Sequence, residues 1–208
     1  MSFGARALIR LDALEHNLEV IRAAAPGSRV MAVIKANAYG HGMVTVAQQL
    51  ANVDAFAVAR VPEALELREN GIVSPVILLA GVMNAADTEA VAQYGFEPVV
   101  HCKEQVELLK AVSKGRINVW VKFDTGMNRL GFDPGEAQEV LGKLVSAPAV
   151  AGLRLMTHLS SADDLQCRAT ERQLRRFRPL ISGFDGAVSI GNTPATFGWP
   201  AVADAQRE

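Results

Sequence analysis

Hydrophobic and polar positions along the chain follow a repeating two-part pattern. Short apolar runs alternate with longer amphipathic stretches, and glycine or proline marks most junctions. The runs lie at 31–34 (MAVI), 55–59 (AFAVA), 75–80 (PVILLA), 96–100 (FEPVV), 117–123 (INVWVKF), 153–158 (LRLMTH) and 187–190 (AVSI). Runs this short, with so few charges, suit strands buried on both faces. Between them the spacing predicts helices over 43–50, 62–68, 85–94, 103–112, 134–144 and 165–177. Pro62 and Pro134 sit where a first helical turn tolerates proline, and Gly71 and Gly95 stand where helices end. Ahead of this series, 7–11 alternates as a short apolar segment. Asp12, with Glu15 three residues on, is the expected cap of a helix carrying Leu14, Leu18 and Ile21, which Pro26-Gly27 ends.

Strands alternating with helices imply βα units and a parallel sheet. A regular series of about seven such units favours a (β/α)8-type TIM barrel over a doubly wound sheet. No G-x-G-x-x-G follows any strand, as a doubly wound nucleotide-binding fold would ask. After Trp199-Pro200 the remaining residues, AVADAQRE, contain no further apolar run. The barrel is therefore expected to be incomplete, lacking an eighth strand and leaving two edges unpaired. With no linker, low-complexity tract or charge block, the 208 residues read as one domain with no second domain in this chain.

Composition narrows the partners. Hydrophobic residues make up 50% and charged residues 21%, an ordinary globular balance. A net charge of −1 gives no electrostatic reason to expect nucleic acid or an anionic membrane as partner. No apolar run is long enough to span a bilayer, and Arg6, Arg10 and Asp12 interrupt the start where a signal peptide would be apolar. Cys102 and Cys167 have neither metal-ligand spacing nor the look of a disulfide framework, so no metal is expected and the location is expected to be cytoplasmic.

The candidate chemistry sits at strand ends, where βα barrels keep their active residues. Lys35 closes the first apolar run and is followed by Asn37, Tyr39, Gly40, His41 and Gly42. An ammonium there is costly unless its stem alone is buried, or unless it is paired, neutralised or used. A desolvated lysine can form a Schiff base with a carbonyl compound such as pyridoxal 5'-phosphate (PLP). At 121–132 (VKFDTGMNRLGF), Lys122, Asp124, Asn128 and Arg129 crowd around Gly126. Alone this would read as a solvated loop with an Asp–Arg pair of little value. Met156-Thr157-His158 ends the sixth run, and SIGNTPAT at 189–196 ends the seventh with groups suited to phosphate. His16, His41 and His101 are expected to be structural or superficial, and the basic run 168–178 a solvated helix face.

Three of these segments resemble alanine racemase. The stretch at 33–42 fits V-x-K-A-N-A-Y-G-H-G, the stretch at 122–131 fits K-x-D-T-G-M-x-R-L-G, and 157–163 fits T-H-x-x-x-A-D. The resemblance covers nearly the whole chain and corresponds to that family's N-terminal PLP-binding barrel. It implies that Lys35 carries PLP as a Schiff base and serves as one of two bases, and that Tyr39 bonds the cofactor phosphate. It implies that Arg129 meets the phenolic oxygen of the cofactor and the substrate carboxylate. Lys122 matches a lysine that is often carbamylated and orients that arginine. His158 would lie beside the pyridine ring. Asn192 and Thr193, where the family has N-S, would meet the phosphate. The implied activity is interconversion of L- and D-alanine, feeding peptidoglycan synthesis, in a homodimer.

In the family the second base is a tyrosine from a C-terminal β-domain, placed across the dimer interface. That domain and an R-P-G-I-x-L-Y-G-like segment are not in this sequence, and neither Tyr39 nor Tyr94 matches the second base. The chain therefore reads as a truncated or divergent member, expected to bind PLP weakly and to racemise poorly or not at all. A non-catalytic PLP-binding or carrier protein, an inactive remnant, and a PLP racemase or aldolase acting on another amino acid remain open alternatives.

Overall fold

The structure is a computed structural model that describes residues 4–200 and 202. The chain runs α1 (Leu11–Ala24), β1 (Met31–Val33), a helical turn α2 (Lys35–Tyr39), α3 (Met43–Gln49), β2 (Ala55–Val58) and α4 (Val61–Glu69). It continues through β3 (Val76–Leu78), α5 (Ala85–Tyr94), β4 (Glu97–Val100), α6 (Lys103–Lys110), β5 (Ile117–Lys122) and a 3₁₀ turn (Pro134–Glu136). The last elements are α7 (Ala137–Val145), β6 (Val150–Met156), α8 (Ala169–Ile181), β7 (Val188–Ser189) and α9 (Thr193–Gly198).

The strands form one 7-stranded sheet in sequential order, and every pairing is parallel. Parallel neighbours need a crossover, and the helices between strands supply it. Alternation of side chains then divides the apolar residues between two cores. Outward-facing Phe56, Val58, Val119, Val121 and Leu155 pack with helix residues such as Leu67, Leu109, Leu144 and Phe177. Inside the curl, Ala57, Ile77, Val99, Trp120 and Met156 form a second, smaller cluster. Burial on both faces of β2 to β5 is why those strands read as continuous apolar runs.

Each of the seven expected strands is present, and the fold is the α/β barrel type. Among the described residues β1 and β7 each pair on one side only, and no eighth strand lies between them. The seam is covered from outside. Helix α1 packs against α3, which follows β1, and against α9, which follows β7. The helix that precedes the first strand therefore bridges the two ends of the sheet.

Three local expectations are corrected. Asp12 is not the cap of α1. The helix already begins at Leu11, and Asp12 sits in its first turn, ion-paired with the exposed guanidinium of Arg10. Helix α8 begins at Ala169 rather than 165, because Asp164 Oδ1 accepts the N–H groups of Gln166 and Cys167 and holds that stretch in a turn. It also continues through Pro179 to Ile181, where Leu180 and Ile181 pack on the outer core. Helix α9 has no counterpart among the helices expected from the spacing. Asn192 caps it by accepting the N–H of Ala195 at 3.1 Å.

Candidate active site

Strand parity assembles the site. Residues two apart share a face, so the inner cluster of Val99, Trp120 and Met156 continues toward the carboxyl ends as His101, Lys122 and His158. Met31 packs on the same inner cluster, and the chain rises from it to Lys35 just beyond β1. Three cations converge on His158. Burial pushes its imidazole below the ordinary range, and the charges of Lys122, Arg129 and Lys35 push it in the same direction. His158 is therefore held neutral. Burial likewise lowers the His101 pKa, opposed by its bond to the Ala80 carbonyl and reinforced by Lys122. The structure thus brings Lys35, Lys122, Arg129 and His158 together, and adds His101 to the Lys122 side of the group.

Lys35 is held by an uncommon piece of backbone. Ala36, Asn37, Ala38 and Tyr39 all have φ between 51° and 55°, a left-handed helical turn without glycine. Each such residue costs roughly 1–2 kcal/mol against the right-handed form. The turn is held by bonds on every side. Ala38 N–H donates to Ile34 O at 2.8 Å, and Asn37 Oδ1 accepts Met43 N–H at 2.8 Å. Asn37 O accepts the N–H groups of Gly40 and Gly42, and His41 Nδ1 donates to Ala38 O. His41 is therefore a brace of this turn. Glu63 Oε1 accepts Ala36 N–H at 2.7 Å from the neighbouring βα unit. Lys35 is partly buried, and Tyr39 stands 60% exposed at the far end of the turn.

The loop after β5 carries Arg129. Asp124 Oδ1 accepts the N–H groups of Gly126, Met127 and Asn128. Burial alone would raise the Asp124 pKa, but these three bonds together hold the carboxylate below its usual range. Asn128 turns at φ 58°, and Gly131 closes the loop at φ 129°. A Cβ on Gly131 would meet Asp124 N at 2.6 Å, so only glycine fits the crossing. Lys122 is only 6% exposed, and its Nζ donates to Leu130 O at 2.7 Å. Burial lowers its pKa. Asp124 opposes the shift and the Arg129 charge adds to it. Arg129 itself is exposed.

Behind the loops after β5 and β6 runs a directed chain of hydrogen bonds. Gln173, buried on α8, donates to Thr125 Oγ1 at 3.2 Å and to His158 O at 2.9 Å. Thr157 Oγ1 donates to Phe123 O, which leaves Thr125 as the donor to Thr157 at 2.8 Å. Gln173 Oε1 accepts from both the N–H and the hydroxyl of Ser160. Arg176 reaches Thr125 O and Asp133, so the basic run on α8 is not wholly a solvated face. Asn192 uses both ends of its amide, capping α9 and donating to Leu159 O at 3.2 Å. Thr193 is exposed at the start of α9. Sequence reasoning gives no site role to Glu63, His101 or Gln173. Only the parity of His101 with Val99 was there to be read.

A curled parallel βα sheet with lysine, histidine and arginine converging at its carboxyl end has the layout of a barrel enzyme's active face. The profile described as "Alanine racemase, N-terminal domain" matches residues 9–207. The chain belongs to the alanine racemase family. It is 46% identical over 200 residues to a catabolic alanine racemase of Pseudomonas aeruginosa, covering 95% of this chain and 56% of that protein. An alanine racemase of Vibrio parahaemolyticus is 42% identical over 198 residues, covering 94% and 55%. Among solved structures, the biosynthetic alanine racemase of Pseudomonas aeruginosa superposes with a TM-score of 0.87 at 35% identity, covering 92% of this chain and 54% of that one. The alanine racemase of Acinetobacter baumannii gives 0.84 at 35% identity, covering 93% and 58%. The chain thus spans about half the length of the relatives it matches.

Proposed function

We propose that these residues are the cofactor-binding barrel of a PLP-dependent alanine racemase, with Lys35 as the lysine that binds PLP. The observation that carries the reading is the convergence of Lys35, Lys122 and Arg129 on a neutral His158 at the carboxyl ends of β1, β5 and β6. The donor set fits the cofactor: a partly buried amine for an aldehyde, a neutral imidazole, and a positive environment for an anionic ligand. Exposed hydroxyls of Tyr39 and Thr193 stand on the turns after β1 and β7 for its phosphate. Asn192 supports that turn through its cap and its bond to Leu159 O.

When bound, PLP supplies the electron sink that makes an amino-acid α-hydrogen acidic. The protein's own part is positioning and proton transfer. The Lys35 amine takes or returns a proton at the α-carbon from one face. The Arg129 guanidinium binds the carboxylate of alanine, a planar fork meeting a planar anion. His158 stays uncharged among the cations and keeps its ring available for packing and hydrogen bonding. The lowered pKa of Lys122 enlarges its neutral fraction, the form that attacks carbon dioxide to give a carbamate and release a proton. A carbamate beside Arg129 would orient that guanidinium. The second base is the tyrosine that the family draws from a C-terminal domain across a homodimer interface. The substrate is small and soluble, and among the described residues no helix is long and apolar enough to cross a membrane, in keeping with a cytoplasmic enzyme.

The test is borohydride reduction of the protein incubated with PLP, followed by peptide mapping. A pyridoxyl group on Lys35, absent in Lys35→Ala, is expected. A label elsewhere, or none at saturating PLP, overturns the reading. Assayed alone, the 208 residues are expected to make D-alanine about 10²–10⁴-fold more slowly than a two-domain relative, the usual effect of a missing acid–base group.

A further inference from the structure

We infer that Glu63 is a positioning residue for Lys35, an inference that rests on the PLP-lysine reading above. Glu63 lies in the first turn of α4, in the βα unit after the one that carries the lysine. Its two carboxylate oxygens accept three backbone N–H groups from two separate segments. Oε1 takes Ala36 N–H at 2.7 Å. Oε2 takes Ala59 N–H at 2.6 Å and Arg60 N–H at 3.2 Å. The last two bonds cap α4 and would be made by any good capping residue. The first is different. Ala36 is the residue directly after Lys35 and the first of the four left-handed residues. The bond therefore acts where the chain leaves β1 and reverses hand, at the peptide that sets the direction of the lysine stem.

The energetics favour a charged anchor at this place. Four consecutive non-glycine residues in the left-handed region persist only when their surroundings over-determine them. Most of the bonds that hold the turn are internal to 34–43 and would move with it. Glu63 fixes the turn to the rest of the barrel, because its other oxygen is tied to the end of β2. A carboxylate accepting amide N–H bonds is stronger than a neutral acceptor. The turn after β1 and the turn after β2 thereby become one rigid unit. That unit holds the Lys35 amine toward Lys122, Arg129 and His158.

The experiment follows the rate of borohydride-trappable PLP labelling at Lys35 and the hydrogen exchange of the Ala36 amide. Glu63→Ala is expected to slow labelling by about 10- to 10²-fold, the range that a small misplacement of a reacting group produces, and to release the Ala36 amide to exchange. Glu63→Gln, which keeps one acceptor oxygen and the side-chain shape, is expected to fall between Glu63→Ala and the unaltered protein, and serves if the alanine variant fails to fold. Asn84→Ala removes a comparable cap from α5, where Asn84 accepts Asp87 N–H, two βα units on from the lysine turn. It is expected to leave Lys35 labelling unchanged. Equal slowing by Asn84→Ala, or unaltered labelling in both Glu63 variants, overturns the inference. If the unaltered protein is not labelled at Lys35, the PLP reading fails. Glu63 anchoring is then judged by Ala36 exchange alone, and an unprotected Ala36 amide in the unaltered protein overturns it.

Discussion

At the scale of single residues, burial and neighbouring charges shift the protonation equilibria of the site's groups. His158 is pushed down by burial first and then by three positive charges. A histidine whose folded pKa is depressed has a simple linkage. Above its ordinary pKa of about 6.5, both folded and unfolded chains carry it neutral and it contributes nothing. As pH falls through that value the unfolded chain gains a proton that the folded chain refuses, so stability declines toward the lower folded pKa. Thermal unfolding is expected to drop in midpoint between about pH 7.5 and 5.5, and His158→Gln is expected to flatten part of that slope. An unchanged slope in the variant would show that His158 is not held neutral. The site motifs were legible because they are consecutive letters. The shift was not, because it depends on charges that lie far apart along the chain and meet only across the sheet.

Helices and loops show how each end of a strand is made firm. Gln173 is the clearest case. It lies on α8, yet it ties together the loops after β5 and β6 through Thr125, His158 and Ser160. Substituting Gln173→Leu takes a partner from Thr125, from the His158 carbonyl and from Ser160 and leaves an apolar side chain in a polar network, where a buried group left unpaired typically costs about 1–3 kcal/mol. Denaturant unfolding is expected to lose on the order of 2–4 kcal/mol, with the loops of His158 and Arg129 loosened ahead of the core. A loss below that of an ordinary surface substitution would mean the network is dispensable. The amphipathic spacing of Leu174 and Phe177 makes α8 visible in the sequence, but not its start. Apolar periodicity does not register a side-chain turn such as that of Asp164, which competes with the first helical turn.

For the described residues as a whole, the notable feature is a sheet whose end strands, β1 and β7, each pair on one side, under an outer layer in which α1 reaches the helices that follow both. Leu18 is buried in α1, the helix that bridges α3 and α9 across the seam. Leu18→Ala is expected to cost about 2–4 kcal/mol as a core truncation and, by loosening the cover, to promote association through the edges of β1 and β7. Light scattering against protein concentration, beside a thermal melt, checks both. Destabilisation without increased association would mean that α1 does not guard the seam.

Local order was determined by the sequence alone. Alternating apolar runs and amphipathic stretches specify seven strands and the helices ahead of and between them, though not α9, because burial on two faces or on one stripe leaves a period that can be read directly. The resemblance of three short segments likewise singles out Lys35, Lys122, Arg129 and His158. Only the tertiary structure decided that His101 joins the cluster, that Glu63 holds the turn after Lys35, that Gln173 ties two loops, and that α1 covers the seam. Each of these is a contact between residues distant in the chain. The curl and register of the sheet bring them together, and no local pattern of polar and apolar residues encodes that.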